Sequence, residues 1–301
     1  MSFGFILDVF ITLIPVFWVI SLISGIITTI LQRNPRFSVL ILLVFTVLFT
    51  RLNANIRFHP SDQNTSLNIA SLNVGQFSND TNQVQSIINQ LNERQPDIIA
   101  LQEFGLYYKW PNTQSVVRDF AEKVDMPYYH FKPQKDNIFG VAVFSRYPII
   151  MAEKLFEKAG PTNEAVRYTI GLNGQLLDLI NVHLQSYNFS HLGNVVGYVS
   201  PDQVWQQQRM QALRILDNLR VEENTIVVGD LNAPAGTQPY NTLSRIGDDM
   251  LQAAGIGWSP TVDLMPLRID HGFASNDIHV LSVDVVATQS DHHLLVFDIA
   301  L

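Results

Sequence analysis

Apolar and polar positions divide this chain into an apolar front end without period and a long remainder that alternates between strand and helix patterns. Positions 3–31 are almost wholly apolar, with Asp8 the lone charge. At ~1.5 Å per residue such a run crosses a bilayer with some tilt, and a kink at Pro15 is tolerated there. A polar turn of Gln32, Arg33, Asn34, Pro35 and Arg36 follows, then a second apolar run over 37–50 closed by Arg51. That run is short for a span, a shortfall that Arg36 and Arg51 make up by snorkelling to opposite interfaces. The pattern predicts a membrane anchor over 1–55, a transmembrane helical hairpin. Two other readings compete with it. A cleaved signal peptide wants a basic stretch ahead of the run and a small-residue cleavage site after it; a buried soluble hairpin needs neither. Positions 56–65, polar around Pro60, read as a linker.

From 66 to 301 the periods change every ten to twenty residues. Strands are predicted over 67–74, 97–102, 138–144, 225–229, 279–287 and 294–301. Segments 165–172 and 175–183 flank Asn173 and Gly174, the strongest short-range hairpin signal. A helix is predicted over 80–94, capped by Asn79 or Asp80 and stopped by Pro96, with Val84, Ile87, Ile88 and Leu91 on one face. A longer one over 201–220 starts on Pro201 and carries Val204, Met210, Leu213, Leu216 and Leu219 on its apolar side. Frequent strands, intermittent helices and a hairpin exclude the regular alternation of a doubly wound sheet. They predict an α+β layered domain with antiparallel pairing.

Composition narrows the chemistry. The 301 residues include no cysteine, which excludes disulfides, thiolate zinc sites and a cysteine nucleophile. The formal net charge is -8, and the first 60 residues hold Arg33, Arg36, Arg51 and Arg57 against Asp8 alone, so the remainder is more acidic still. A domain that grips duplex DNA non-specifically usually carries a basic footprint, so the balance weighs against that substrate.

The candidate chemistry sits where strands stop. Asn73, Glu103, His183, Asp230 with Asn232, and Asp291 with His292 each stand at the end or start of an apolar strand. Singly, each is an ordinary turn former, helix cap or satisfied histidine. Jointly, carboxylates, amides and imidazoles at strand ends line a cleft. Such a set suits hydrolysis of a phosphoester. Imidazoles neutralise charge on phosphoryl oxygens, a carboxylate activates water, and oxygen donors without thiolates suit Mg²⁺ or Mn²⁺ better than zinc.

Six short segments then carry a resemblance, in order along 67–301. They centre on Asn73 (after Ser71 and Leu72), Glu103 (after Leu101 and Gln102), Tyr147 and Pro148 (after Ser145 and Arg146), His183 (after Asn181 and Val182), Asp230 with Asn232, and Asp291 with His292 (after Ser290). A seventh holds Arg268, Ile269, Asp270 and His271. Together they resemble the endonuclease/exonuclease/phosphatase superfamily, the deoxyribonuclease I-like group. The resemblance implies a four-layer α/β sandwich with two central mixed β-sheets. It implies Glu103 as the principal Mg²⁺ ligand, with Asp291 a second acidic residue at the metal. It implies Asp230 as the group that deprotonates water, Asn232 positioning it, and Asn73 holding the metal or phosphate shell. It implies His292 as a contact to the phosphate with Asp270 as its carboxylate partner, and His183 as a second imidazole near the leaving group. Arg167 is a weaker phosphate-binding candidate. Gly75 stands where abasic-site enzymes place an acidic ligand, which speaks against a DNA-repair reading.

The expected function is a metal-dependent phosphoester hydrolase, a nuclease or phosphodiesterase. The alternatives are a lipid or small-molecule phosphodiesterase or phosphatase at the membrane, and a catalytically silent binding protein. Tyr107, Tyr108 and Trp110 read as rim packing or as a surface for stacking a base or sugar. Expected partners are the lipid bilayer and a phosphoester, whether nucleic acid, phospholipid or soluble ester, with no obligate protein partner. Arg33 and Arg36 in the short turn favour a cytoplasmic turn, with 52–301 extracytoplasmic, although Arg51 and Arg57 pull the other way.

Overall fold

The computed structural model describes residues 4–9, 12, 23, 66–75, 77, 80–105, 113–131, 139–156, 163–187, 200–220, 224–254, 259–263 and 267–301. Most of the expected membrane anchor over 1–55, the expected linker over 56–65, and Tyr107, Tyr108 and Trp110 lie outside them. Among the described residues no helix is long and apolar enough to cross a membrane.

Strands buried on both faces need cover on both sides, and the chain supplies it in four layers. One sheet has the order β11-β12-β1-β2-β4-β3 and the other β5-β6-β7-β8-β10-β9. The first is built from β1 (Ser66–Asn73), β2 (Ile98–Gly105), β3 (Tyr128–Phe131), β4 (Phe139–Ser145), β11 (His279–Val286) and β12 (Leu294–Ala300). The second is built from β5 (Ile149–Lys154), β6 (Glu164–Leu172), β7 (Gln175–His183), β8 (Asn224–Asp230), β9 (Asp248–Asp249) and β10 (Asp270–Ala274). Both sheets are mixed: β1 and β2 run parallel, as do β7 and β8, and the other pairs are antiparallel.

The period of two sorts the core. Ile69, Ile98, Val141 and Val143 face Val166, Tyr168, Leu179 and Val228 across the sheet interface. Their neighbours Ala70, Leu72, Ile99 and Leu101 point outward onto α1 (Thr81–Arg94) and α2 (Thr113–Lys123), where Ile87, Leu91 and Phe120 meet them. On the other outer face Ile180, Val182 and Val227 pack under α3 (Pro201–Asp217) and α4 (Gln238–Leu243). A short helix, α5 (Met250–Ala253), closes the far edge.

Local signals fall where their chemistry predicts. Asp80 caps α1 by accepting from Asn82 N, and Ser200 forms a capping box with Gln203 ahead of Pro201. Leu172 pairs with Gln175 around Asn173 and Gly174, whose φ of 41° and 102° suit a two-residue hairpin. Helix α3 differs from its predicted face. It buries Val204, Trp205, Gln208, Gln211, Ala212 and Ile215, and Met210 is 51% exposed. The helix is turned to bring its glutamines inward, where their amides bond the backbone of the site loops.

Candidate functional site

One row of register assembles half of the site. His183 is level with Asp230 in the β7–β8 pair, and Asp230 is level with Asp270 in the β8–β10 pair. Three strands of one sheet thus meet at one level, β7 and β8 ending and β10 beginning there, on an imidazole and two carboxylates. The other sheet brings Asn73 from the end of β1, Glu103 from β2, and Ser290, Asp291 and His292 from the loop entering β12.

Asp230 is the hub, 1% exposed. Its Oδ2 accepts from Asn73 Nδ2 at 3.0 Å and Asn232 Nδ2 at 3.1 Å, and its Oδ1 accepts from the Asn232 backbone N–H at 2.7 Å. The nearest imidazole nitrogens are His183 Nε2 at 3.6 Å and His292 Nε2 at 3.8 Å. Asn232 reaches back in this way because its backbone is left-handed, φ 49°. Burial raises the Asp230 carboxyl to about 6; His292 and His183 pull it down, while Asp270 pushes it up.

His292 is fixed from behind. Its Nδ1 donates to Asp270 Oδ2 at 2.9 Å and lies 3.1 Å from Oδ1, leaving Nε2 turned toward Asp230. Burial opposes its charge, but Asp270 and then Asp230 outweigh burial and hold the imidazolium up to about 10. Ser290 ties this loop to β1: its Oγ donates to Asn73 O at 2.8 Å and accepts from His292 N at 3.3 Å.

Glu103 sits not at the end of its strand but inside it. The β2–β4 pairing slips between Leu101 and Phe104, and Glu103 takes φ 49° within the bulge. A bulge re-aims a side chain; here the carboxylate lies 3.5 Å from His183 Nε2 and keeps a fifth of its surface open. Asp291 is exposed beside Gly75. A Cβ on Gly75 would come within 3.1 Å of Asp291 Oδ1, and its φ is +52°, so a side chain there would press on that carboxylate. The rim donor set, Glu103 and Asp291 with Asn73 adjoining, is oxygen-rich and partly open, which fits a hard divalent cation. A tighter cluster exists among the described residues: Asp230, Asp270 and His292 offer ligand atoms within 4.8 Å of one another. Their closeness is accounted for by the Asp270–His292 hydrogen bond and the charge pairing with Asp230.

Arg167 does not join the site. It lies three residues along β6 from Glu164 and on the opposite face, where Nη1 donates to Asn218 O at 2.6 Å and Nη2 to Glu153 Oε2 at 3.0 Å. Odd spacing on a strand turns a side chain to the other side of the sheet.

Gln102 and Asn181 lie on the strands that carry Glu103 and His183. Gln102 Nε2 donates to Asn181 Oδ1 at 2.7 Å, and Asn181 Nδ2 donates to Leu101 O and Ala142 O, both at 3.0 Å. This buried amide clasp joins the sheets directly beneath Glu103 and His183. Gln208 of α3 was missed outright; its Nε2 donates to Gln185 O at 2.7 Å and Asn232 O at 3.0 Å, pinning the loops that follow β7 and β8. In the buried cluster behind β10, Arg268 donates from Nη1 and Nη2 to Asp249, and burial, then Arg268, lowers His271 to about 4.

The endonuclease/exonuclease/phosphatase family matches residues 66–292. No curated protein matches the chain. Among solved structures, an endonuclease/exonuclease/phosphatase from Beutenbergia cavernae is 19% identical with a TM-score of 0.61, covering 78% of this chain and 72% of that one. TDP2 of D. rerio, complexed with a single-strand DNA product, is 16% identical at a TM-score of 0.60 over 79% of this chain and 100% of its own. A Staphylococcus aureus beta toxin mutant with bound magnesium ions is 15% identical at 0.56 over the same two shares, 79% and 100%. These three likenesses are of fold.

Proposed function

Because the chain belongs to the endonuclease/exonuclease/phosphatase family, we propose that it hydrolyses phosphoester bonds with the help of Mg²⁺ or Mn²⁺, as a nuclease or phosphodiesterase. The observation that carries this reading is Asp230, a buried carboxylate that accepts from two amides and stands within 4 Å of two imidazoles.

Glu103 and Asp291 would hold the cation with Asn73 beside them, and it would supply Lewis-acid polarisation of a phosphoryl oxygen. Asp230 takes a proton from water, and Asn232 and Asn73 hold its carboxylate in place. His292, kept cationic by Asp270, balances charge that builds on the phosphoryl group. His183, pressed between Glu103 and Asp230, serves the leaving oxygen. The alternative substrate is a lipid or small phosphoester at a membrane, favoured by the apolar run over 3–31. In that reading 1–55 anchors the chain and the catalytic domain lies outside the cytoplasm. Purified full-length protein offered plasmid DNA, RNA, phospholipid vesicles and bis(p-nitrophenyl) phosphate with Mg²⁺ tests both. Hydrolysis of at least one is expected, and turnover of none would refute the proposal.

Acid should silence the enzyme. Below about pH 6 the Asp230–His292 pair holds a proton on Asp230, which then cannot accept another. The rate should therefore climb through about pH 6 and stay high while His292 remains cationic, up to about pH 10. A kcat/KM profile flat from pH 5 to 8 would count against Asp230 as the base.

Asp270 and His292 should fail as a unit. If Asp270 acts only by holding the imidazole, Asp270→Asn costs activity through His292, and the Asp270→Asn/His292→Ala double variant is little worse than His292→Ala alone. Steady-state kinetics of the four proteins decide it; fully additive losses would show two independent roles.

A further inference from the structure

Asp8 is the one charge in the first apolar run, and the catalytic chemistry has no use for it. Residues 4–9 are helical, and Asp8 is buried against the catalytic domain. Its Oδ2 accepts from Trp205 Nε1 at 2.7 Å, on α3, and from Gln238 N at 2.8 Å, on α4. Thr237 provides no side-chain cap to α4, so the Asp8 carboxylate takes that amide instead. Phe5 packs its ring edge-on to the same indole, centroids 6.5 Å apart, and Gly4 lies so close that a Cβ would stand 2.9 Å from it. The other side of the turn is partly open: Ile6, Leu7 and Val9 are 40–49% exposed.

We propose that Asp8 is a docking key that seats the first apolar segment on α3 and α4, with Ile6, Leu7 and Val9 turned to lipid. This rests on the membrane reading above. The occupant of the open face is assigned from continuity: the run goes on without a charge over 10–31, and 22 residues, if helical, reach about 33 Å, long enough to span. A carboxylate in such a run is costly unless it is paired, and the indole and the amide pair it outside the span.

The key has a topological consequence. Residue 8 touches residues 205 and 238, so the N-terminus and the catalytic domain share one face of the bilayer. If 10–31 crosses, then 37–50 must cross back instead of re-entering. The key also reaches the site. Trp205 and Gln208 are one turn apart on α3, and Gln208 holds the Gln185 and Asn232 carbonyls. Burial, then the Asp8 charge, pushes up the Tyr187 phenol, four residues past His183.

The test uses the full chain, whose lack of cysteine makes labelling clean. Ser2→Cys and Asn276→Cys, made singly, are treated with a membrane-impermeant maleimide in sealed right-side-out vesicles. Both should label or both should be protected; opposite behaviour would overturn the proposal. In lipid nanodiscs the Trp205 indole N–H, assigned through Trp205→Phe, should resonate downfield and exchange slowly. Asp8→Leu should abolish that protection and Asp8→Asn should keep part of it. An indole proton indifferent to Asp8→Leu would overturn the key. A chain recovered wholly outside the membrane fraction would overturn the lipid-facing half and the membrane reading with it, and the indole readout would still decide the docking.

Discussion

Excess EDTA abolishes hydrolysis and Mg²⁺ or Mn²⁺ restores it: this is the largest effect expected of any single treatment. The reason lies in how charge is distributed over the cleft. Asp230 and Asp270 are buried and share the imidazole of His292, whereas Glu103 is partly open and Asp291 exposed. An anionic substrate approaching that rim meets like charge unless a cation intervenes. A bound metal is worth several kcal/mol of transition-state stabilisation, and each ~1.4 kcal/mol is tenfold in rate. Glu103→Gln keeps the side chain's size and bulge geometry but removes its charge, so it should cost on the order of 10²-fold or more in kcat. It should also raise the Mg²⁺ concentration needed for half-maximal rate. A titration of rate against Mg²⁺ for the two proteins measures both. Activity undiminished in excess EDTA would sink the assignment.

How much of this was legible in the chain differs by residue, for physical reasons. Asn73, His183 and Asp230 close apolar runs that read as buried strands, and the register sets His183 level with Asp230 in one sheet; Asp270 rests on the resemblance alone, because the five residues Asp270–Ala274 are too short a run to read as a strand. Glu103 was found, but its bulge was not, since a left-handed residue inside a strand leaves no mark in an apolar pattern. Arg167 was misplaced because nothing in a strand fully buried on both faces tells which parity faces the cleft. The glutamine face of α3 was illegible for a related reason. Gln208 and Gln211 are buried through hydrogen bonds made to loops distant in sequence, and a hydrophobicity pattern reads buried amides as solvent-facing. Edge strand β3 escaped notice because its tyrosines are about 40% exposed and show no alternation.

Asp230→Asn separates catalysis from folding more sharply than any other substitution. The side chain keeps its shape, but an amide cannot take a proton from water, so kcat should fall by about 10²–10⁴-fold, the range of a general base. The new amide also meets donors already in place. Asn73 Nδ2 and Asn232 Nδ2 both point at Oδ2, so the oxygen of the substituted side chain must take that position and its NH₂ must turn toward the Asn232 N–H. That mismatch costs something. Against it stands the raised pKa. A carboxyl whose folded value is about 6, above its ordinary 3.8, favours the folded state fully below 3.8 and loses that contribution as pH rises through about 6. At pH 8 in EDTA the wild-type protein therefore carries a buried charge that the variant lacks. The Tm of Asp230→Asn should equal or exceed that of the wild type at pH 8, and its advantage should shrink as pH falls through 6. Calorimetric scans at pH 5 and pH 8, with kinetics on the same preparations, check both halves. A variant that keeps a tenth of wild-type activity would remove Asp230 from the mechanism, and one that is inactive and strongly destabilised at pH 8 would show a structural carboxylate instead.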